Sequence, residues 1–205
     1  MTESCPPYTL AAFDFDGTIT TGDSLQVFLR ELSGWHGLIG GALQSSPWLC
    51  LAFLKIISRH SAKEQLLGAM LKGRSYADLD AAAKQFAEGT LESMVRPEMR
   101  ERIRWHQNQG HRVVLVSASP SLYLRYWAAR HGFETVLSTE MEWQNGVFTG
   151  NLAGRNCWGP EKVSRLAAWW GDHPPAVLHA YGDTRGDREM IARADHAWFR
   201  GVPVK

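Results

Sequence analysis

The sequence predicts an α/β fold, a doubly wound parallel sheet with a helical cap inserted after its first strand. Short apolar runs alternate with helical patterns of 10–15 residues, which is typical of such sheets. Acidic or hydroxyl residues follow several of the runs directly, and residues 21–94 contain helical patterns without a convincing strand. We therefore expect an α/β core made of residues 1–20 and 95–205, and a cap made of residues 21–94.

Apolar runs and turn residues mark the individual elements. Buried parallel strands are predicted from continuous apolar runs at residues 8–13, 113–116, 135–138 and 176–181. Helices bounded by proline at the start and glycine at the end are predicted at residues 96–108, 119–132 and 160–171. Residues 141–149 form two short alternating runs around Asn145-Gly146, which is the strongest local signal for a hairpin.

Two capping boxes mark helices within the predicted cap. Ser61 is followed three residues later by Glu64, and Ser75 by Asp78, so each serine is expected to begin a helix. An insertion after the first strand lies above the carboxyl edge of the sheet, where open α/β sheets bind ligands. The cap is therefore expected to cover a site at that edge.

Composition excludes several classes of protein. The 205 residues carry 22 Lys and Arg against 21 Asp and Glu, so the net charge of +1 gives no basis for binding nucleic acid. Three separated cysteines favour free thiols in a reducing cytoplasm over disulfides or a thiolate zinc site. The sequence begins without a signal-peptide pattern, and the apolar run at 48–54 is too short to span a membrane. We expect a cytoplasmic protein, and contact with a membrane surface stays open.

Acidic residues follow the predicted strands at the point where each strand ends. Asp14 and Asp16 come after the first strand, Ser117 ends the second, and Asp183 and Asp187 follow the strand that ends at residue 181. Parallel strands bring these ends to one edge, so four carboxylates and a hydroxyl are expected to share a crevice. Two charges 4 Å apart repel by about 4 kcal/mol at an effective dielectric constant of about 20. The carboxylates are therefore expected to bind protons or a cation.

The oxygen ligands of this crevice suit Mg²⁺ better than zinc, and Lys162 at the start of a predicted helix adds a positive charge. Taken singly, each of these residues has an ordinary structural role in a turn, at a strand end or on a solvated helix face. Their joint placement favours a functional site. The eight histidines show no metal-binding spacing, and His106 and His111 are expected at the surface or at a helix end.

Four motifs resemble those of the haloacid dehalogenase-like phosphatases of subfamily IB, whose core is Rossmann-like. They are DFDGT at 14–18, a strand ending in Ser117, Lys162 opening a helix, and GDTRGD at 182–187, and they occur in the family's order. The chain is most similar to the branch that includes phosphoserine phosphatases, and it also resembles the phosphatidylglycerophosphatase C type.

The resemblance implies a role for each acidic residue. Asp14 would be the nucleophile that forms an aspartyl-phosphate. Asp16 would protonate the leaving alkoxide and then activate water. Mg²⁺ would be held by the Asp14 side chain, the Asp16 backbone carbonyl and Asp183, with Asp187 close by or acting through water.

The resemblance also implies a phosphate site. Phosphate would be bound by Gly17, Thr18, Ser117, Ala118 and Lys162. Three features depart from the phosphoserine phosphatase pattern: Asp23 stands at the cap entrance where a substrate-recognising Glu is usual, Gly186 stands where Asn is usual, and residues 118–120 (Ala-Ser-Pro) follow Ser117 where a glycine pair is usual. The apolar residues 49–57 could then face a lipid or an amphipathic substrate, although packing within the cap is the favoured role for such a stripe.

These features predict a Mg²⁺-dependent phosphatase that hydrolyses a small or amphipathic phosphate monoester, either phosphoserine-like or a lipid-head phosphate. One alternative is a phosphotransferase or mutase that uses the same aspartyl-phosphate. A second alternative is a non-enzymatic phospho-acceptor signalling domain. The second is disfavoured because such domains carry the phosphorylated Asp after a middle strand and have no cap.

Overall fold

The computed structural model describes residues 6–53 and 58–205, and within 35–53 it describes only some of the side chains. The strands are β1 (Thr9–Phe13), β2 (Arg112–Pro120), β3 (Thr135–Thr139), β4 (Met141–Gln144), β5 (Val147–Leu152), β6 (Val177–Gly182), β7 (His196–Phe199) and β8 (Val202–Pro203). The helices are α1 (Ser24–Phe53), α2 (Arg59–Leu71), α3 (Tyr76–Glu88), α4 (Thr90–Ser93), α5 (Pro97–Asn108), α6 (Ser121–Arg130), α7 (Pro160–Trp170) and α8 (Arg188–Arg193).

A six-stranded sheet in the order β3-β2-β1-β6-β7-β8 forms the centre of the core. Its strands pair in parallel except for the antiparallel pair β7–β8. The predicted α/β class and the mostly parallel sheet are confirmed, and each of the four predicted strands is present. The short strands β7 and β8 were not predicted, because the apolar run of β7 is only three residues long and the edge strand β8 has only two residues.

Both faces of the sheet are buried, which explains why its strands are apolar without alternation. Leu10 and Ala12 of β1 belong to a cluster with Leu166 of α7. Ala11 and Phe13 point to the opposite face and belong to a larger cluster that includes buried leucines of the cap helices. The cap therefore shares its hydrophobic core with one face of the sheet, and its position over the sheet is set by packing.

The cap is helical in the part of 21–94 that the structure describes. Ser75 caps α3 as predicted, because its side chain accepts a hydrogen bond from the Asp78 N–H at 3.1 Å. The start predicted for α2 at Ser61 is wrong: the helix begins at Arg59, and Ser58 accepts the Ser61 N–H at 3.0 Å. No helix within the described residues is long and apolar enough to cross a membrane, and the predicted apolar stretch 49–57 lies outside the described side chains.

The predicted hairpin is confirmed, and it packs against the cap. Asn145 and Gly146 have φ angles of +51° and +74°, the left-handed conformation that a two-residue turn of this kind requires. The Gly146 carbonyl accepts the Tyr76 N–H at 2.7 Å, and the Phe148 carbonyl accepts the Gly73 N–H at 3.0 Å. The hairpin formed by β4 and β5, which follows the cap in sequence, is thus bound to it through the main chain.

The chain leaves the core and returns to it at adjacent points. The Thr21 N–H donates to the Met94 carbonyl at 2.9 Å, and the Arg96 N–H donates to the Ile19 carbonyl at 2.8 Å. These hydrogen bonds place both connections of the cap just beyond the carboxyl end of β1. The segment that carries the predicted acidic motif therefore lies directly beneath the cap.

His106 lies in the last turn of α5, which agrees with its predicted place at a helix end, but it is buried in the core and the predicted surface position is wrong. Its side chain is fully buried, and its Nε2 lies 2.8 Å from the Tyr181 hydroxyl. Burial, together with the neighbouring His179 and His111, lowers the pKa of His106 from 6.5 to about 3. His106 is therefore neutral in the folded protein, whereas in the unfolded chain it binds a proton below about pH 6.5.

This difference predicts a pH-dependent stability. The unfolded chain binds more protons below pH 6.5, so the contribution of His106 to the free energy of unfolding is complete above that pH and is lost as the pH falls towards 3. The substitution His106→Asn should make the decline of stability below pH 6 shallower, by about 1.4 kcal/mol per pH unit. Urea denaturation of both proteins between pH 7.5 and 4.5 measures this difference, and parallel curves would contradict it.

Candidate active site

Asp14 lies at the carboxyl end of β1 and is held from several sides. Its backbone N–H donates to the Tyr181 carbonyl at 2.9 Å, which continues the pairing of β1 with β6. The Thr18 hydroxyl donates to Asp14 Oδ2 at 3.0 Å, and the Lys162 ammonium donates to Oδ1 at 2.5 Å. Burial raises the pKa of Asp14 to about 7, even though the charge of Lys162 acts to lower it. The carboxylate is thus fixed in one orientation.

Lys162, in the first turn of α7, is the cation at the centre of the site. Its ammonium donates to Asp14 Oδ1 at 2.5 Å, to Asp187 Oδ1 at 2.6 Å and to the Val116 carbonyl at 2.8 Å, so all three N–H groups are satisfied. Its side chain is almost fully buried. Burial acts to lower the pKa of Lys162, but the two carboxylates outweigh it and the net shift is upward. Lys162 therefore stays protonated.

Asp183 and Asp187 come from the loop that follows β6. Asp187 is fully buried, and its Oδ2 accepts the Thr184 N–H at 2.9 Å. Asp183 faces Asp14 across Thr18, whose hydroxyl lies 3.3 Å from Asp183 Oδ1. Burial raises the pKa of Asp183, and the nearby charge of Asp187 raises it further. Two neighbouring carboxylates repel each other, and this repulsion favours the uptake of a proton or the binding of a cation.

Gly17 is required for the close approach of this loop. Its φ angle is +80°, and a Cβ atom at this position would lie 2.3 Å from Asp183 Oδ2. Any other residue would therefore displace the Asp183 carboxylate. The glycine of the DFDGT motif gives Asp183 access to the space beside Asp14.

The acidic residues fit a divalent cation. Asp14, Asp183 and Asp187 each offer a carboxylate oxygen, and these three oxygens all lie within 4.8 Å of one another. A donor set made only of oxygen atoms suits a hard cation such as Mg²⁺. The carboxylate of Asp16 points elsewhere: Oδ1 accepts the Ser24 N–H at 2.6 Å and Oδ2 accepts the Ser119 hydroxyl at 2.5 Å. Only the backbone carbonyl of Asp16 was predicted as a ligand, and that role stays a prediction.

A cavity of about 560 Å³ opens between the core and the cap at these residues. Asp14, Asp16, Ala118 and Lys162 line it from the core, and Asp23, Arg59 and Lys63 line it from the cap. The predicted phosphate-binding residues are therefore only partly together: Gly17 and Thr18 line a neighbouring cavity, and Ser117 is buried and accepts the Ser119 N–H at 3.0 Å. Asp23 is exposed, and its Oδ1 accepts the Gln26 N–H at 3.0 Å, so it also caps α1.

Several side chains at this cavity were not predicted. Lys63 of α2 reaches across the cavity and donates to the Ala118 carbonyl at 2.6 Å and to Asn156 Oδ1 at 3.2 Å. Arg59 lies one helical turn before Lys63, so two basic residues share one face of α2. That spacing was visible in the sequence, but nothing in it showed that this face turns towards the site. Burial lowers the pKa of Lys63, while the charge of Asp16 acts to raise it.

The fold and the site together define a class of enzyme: a capped α/β protein with an aspartate–lysine centre at the carboxyl edge of its sheet. Comparison with known families agrees, because the family model for haloacid dehalogenase-like hydrolases matches residues 11–192. The chain belongs to this family. The predicted phosphatase-type hydrolase is thereby confirmed, and the non-enzymatic signalling alternative loses its support.

Similar proteins extend over nearly the whole chain. Protein CicA of Caulobacter vibrioides is 36% identical over 199 residues, which covers 95% of this chain and 88% of that protein. Phosphoserine phosphatase SerB1 of Mycobacterium tuberculosis is 28% identical over 198 residues, and the matched region covers 91% of this chain and 64% of SerB1. A crystal structure from Bordetella pertussis Tohama I, of a protein with unknown function, superposes with a TM-score of 0.79 at 22% identity, and the match covers 94% of this chain and 89% of that one.

The buried ion pairs of Lys162 make a prediction about stability. The substitution Lys162→Met leaves Asp14 and Asp187 buried without their cation, which should lower the free energy of unfolding by about 3 kcal/mol. Chemical denaturation in the presence of EDTA measures the loss. Lys84→Met on the exposed face of α3 is the matched control and should change stability by less than about 0.5 kcal/mol. Equal stabilities for the two variants would show that the ion pairs do not hold the site together.

Proposed function

We propose that the protein is a Mg²⁺-dependent phosphomonoesterase that works through an aspartyl-phosphate on Asp14, with Asp16 as general acid and base. The proposal depends on one observation: the carboxylates of Asp14 and Asp16 line the same cavity but have different neighbouring groups. Asp14 is paired with the Lys162 ammonium, as suits a nucleophile that acts in its ionised form. Asp16 has no cation within ion-pair distance among the described residues, as suits a group that exchanges protons.

The reaction proceeds in two steps in this proposal. A carboxylate oxygen of Asp14 attacks phosphorus, the bond from phosphorus to the alcohol oxygen breaks, and the leaving alkoxide takes a proton from Asp16. Asp16 then takes a proton from water, the water oxygen attacks phosphorus, and the bond to Asp14 breaks to release inorganic phosphate. Burial raises the pKa of Asp16, and the charge of Asp23 raises it further, which supports the protonated form that the first step needs.

The hydrogen bonds of Asp16 hold its carboxyl group over the cavity. The Ser24 N–H and the Ser119 hydroxyl bind its two oxygens, and the Ser24 hydroxyl lies 3.0 Å from the Tyr123 hydroxyl. A carboxyl group fixed in this way can serve both steps without moving, because the alcohol leaves from the side on which water later enters.

Asp14, Asp183 and Asp187 would hold the metal ion. Mg²⁺, when bound there, supplies positive charge beside the phosphoryl oxygens and stabilises the charge that develops during transfer. Lys162 contributes a second, permanent positive charge to the same centre.

The lining of the cavity supports an anionic substrate of small size. Besides Lys162, three basic side chains line the cavity: Arg59, Lys63 and Arg185. The cap also adds apolar side chains to the lining, among them Leu25 and Leu66. We propose a small or amphipathic phosphate monoester that reaches the enzyme in the cytoplasm. Phosphoserine is one candidate, supported by the name of the relative SerB1 and by a substrate-bound phosphoserine phosphatase of the same fold. A lipid-head phosphate is the other.

The substitution Asp14→Asn tests the nucleophile. It should abolish the release of inorganic phosphate from p-nitrophenyl phosphate, phosphoserine and a short-chain phosphatidic acid, because the amide cannot attack phosphorus. The loss should exceed about a thousandfold, since removal of a nucleophile leaves only binding and charge stabilisation. Asp172→Asn, at an exposed position just beyond α7, is the control and should retain full activity. Turnover by Asp14→Asn near the wild-type rate would remove Asp14 as the nucleophile.

Removal of the metal ion tests the acidic cluster. Excess EDTA should abolish hydrolysis of the best substrate, and an excess of Mg²⁺ over the chelator should restore it, because the carboxylates repel the substrate phosphate when no cation offsets them. The circular dichroism spectrum recorded in EDTA shows whether the fold persists. Full activity in EDTA would refute the metal dependence.

A further inference from the structure

Gly186 and Trp158 are in direct contact at the floor of the cavity. A Cβ atom placed on Gly186 would lie 2.3 Å from Trp158 Nε1 and 2.6 Å from Cδ1, a separation that atoms in proteins do not reach. The five-membered ring of the indole therefore occupies the space that any side chain at residue 186 would need. Both residues line the cavity that contains Asp14 and Asp16.

The backbone at Gly186 does not itself call for glycine. Gly186 is the middle residue of a single 3₁₀ turn, Arg185–Asp187, and its φ angle lies outside the left-handed region. Its N–H donates to Thr184 Oγ1 at 3.2 Å, and its carbonyl accepts the Gly159 N–H at 2.9 Å. Contact with Trp158 is thus what excludes a larger residue, and the Gly159 hydrogen bond ties the loop of Trp158 to the loop that carries the acids.

The indole of Trp158 is held in place on its faces. The guanidinium carbon of Arg59 lies 4.9 Å from the ring centroid, and that of Arg185 lies 5.7 Å from it, both within the range of cation–π contacts. Arg59 belongs to the cap and Arg185 to the core, so the ring is stacked where the two meet. Within residues 6–53 and 58–205, the indole N–H of Trp158 donates no hydrogen bond to the protein.

An indole N–H that is fixed beside a ligand cavity and lacks an acceptor can donate to a bound ligand. We propose that Trp158 binds the substrate: its indole N–H donates a hydrogen bond to an oxygen of the phosphate ester, from the position that a side chain at residue 186 would otherwise occupy. This inference rests on the proposed function, because it assigns a contact in the same cavity. In this proposal the indole of Trp158 can reach the substrate only because residue 186 is glycine and leaves space for the ring.

The substitution Trp158→Phe tests the donor, because it removes the N–H and keeps an aromatic ring for the guanidinium groups of Arg59 and Arg185 to contact. The value of kcat/KM for p-nitrophenyl phosphate should fall about tenfold or more, as expected for a lost hydrogen bond to a charged group. Trp105→Phe on the exposed face of α5 is the matched control and should leave kcat/KM unchanged. A Trp158→Phe enzyme within twofold of the wild type would overturn the proposal.

A double-mutant cycle tests whether a hydrogen-bond donor at residue 186 can replace the indole N–H of Trp158. Gly186→Asn should lower kcat/KM because the new side chain collides with the indole, and Trp158→Gly should lower it because the donor is lost. In the double variant the indole no longer fills the space, and the asparagine introduced at residue 186 supplies an amide N–H. Its kcat/KM should therefore be about tenfold higher than the value expected if the reductions caused by the two single substitutions were multiplied. Thermal melting confirms that each variant is folded. Independent effects of the two substitutions would show that the positions are not interchangeable.

These outcomes are separable from those of the proposed function. If the wild type shows no hydrolysis that depends on Asp14, the proposed function itself fails. If Asp14→Asn is inactive as expected and Trp158→Phe equals the wild type, only the assignment of Trp158 fails.

Discussion

The ammonium of Lys162, placed between the carboxylates of Asp14 and Asp187, is the interaction on which the rest of the site depends. Carboxylates brought to one sheet edge repel one another by about 4 kcal/mol for a pair 4 Å apart at an effective dielectric constant of about 20. Lys162 offsets that repulsion, and its third N–H binds the Val116 carbonyl, which fixes the ammonium to β2. A buried ion pair of this kind contributes little net stability, because desolvation opposes the attraction. Its effect is to set the positions and charge states of the acids.

The cap completes the site by adding positive charge to a centre that is acidic on its core side. Lys63 and Arg59 project from one face of α2, and their contacts with Asn156 and Trp158 join the cap to the loop that precedes α7. The phosphate of a substrate would thus meet cations from both sides of the cavity. In the proposed function, the alcohol part of the substrate would meet apolar side chains of the cap such as Leu25 and Leu66.

The clustering of the acidic residues could be predicted from the sequence, because these residues follow strands and the carboxyl ends of parallel strands meet at one edge of the sheet. Asp14, Asp183 and Asp187 lie together for that reason, although Asp14 is far from the other two in sequence. Contacts across the interface of cap and core were not predictable, because local sequence patterns do not specify which face of an inserted helix turns inwards. Lys63 and Trp158 depend on that orientation. The helix predicted to begin at Ser119 begins at Ser121, and the Ser119 hydroxyl instead donates a hydrogen bond to Asp16.

The hairpin of β4 and β5 has a mechanical consequence. It lies outside the cap in sequence, yet main-chain hydrogen bonds connect it to residues 73–76 of the cap. At the amino-terminal end of α2, Arg59 and Lys63 contact the core through their side chains. Any rotation of the cap that preserves the main-chain bonds must carry the hairpin with it. Such a rotation would also have to break the contacts of Arg59 and Lys63 with Trp158, Ala118 and Asn156, because these contacts attach the amino-terminal turn of α2 to the core.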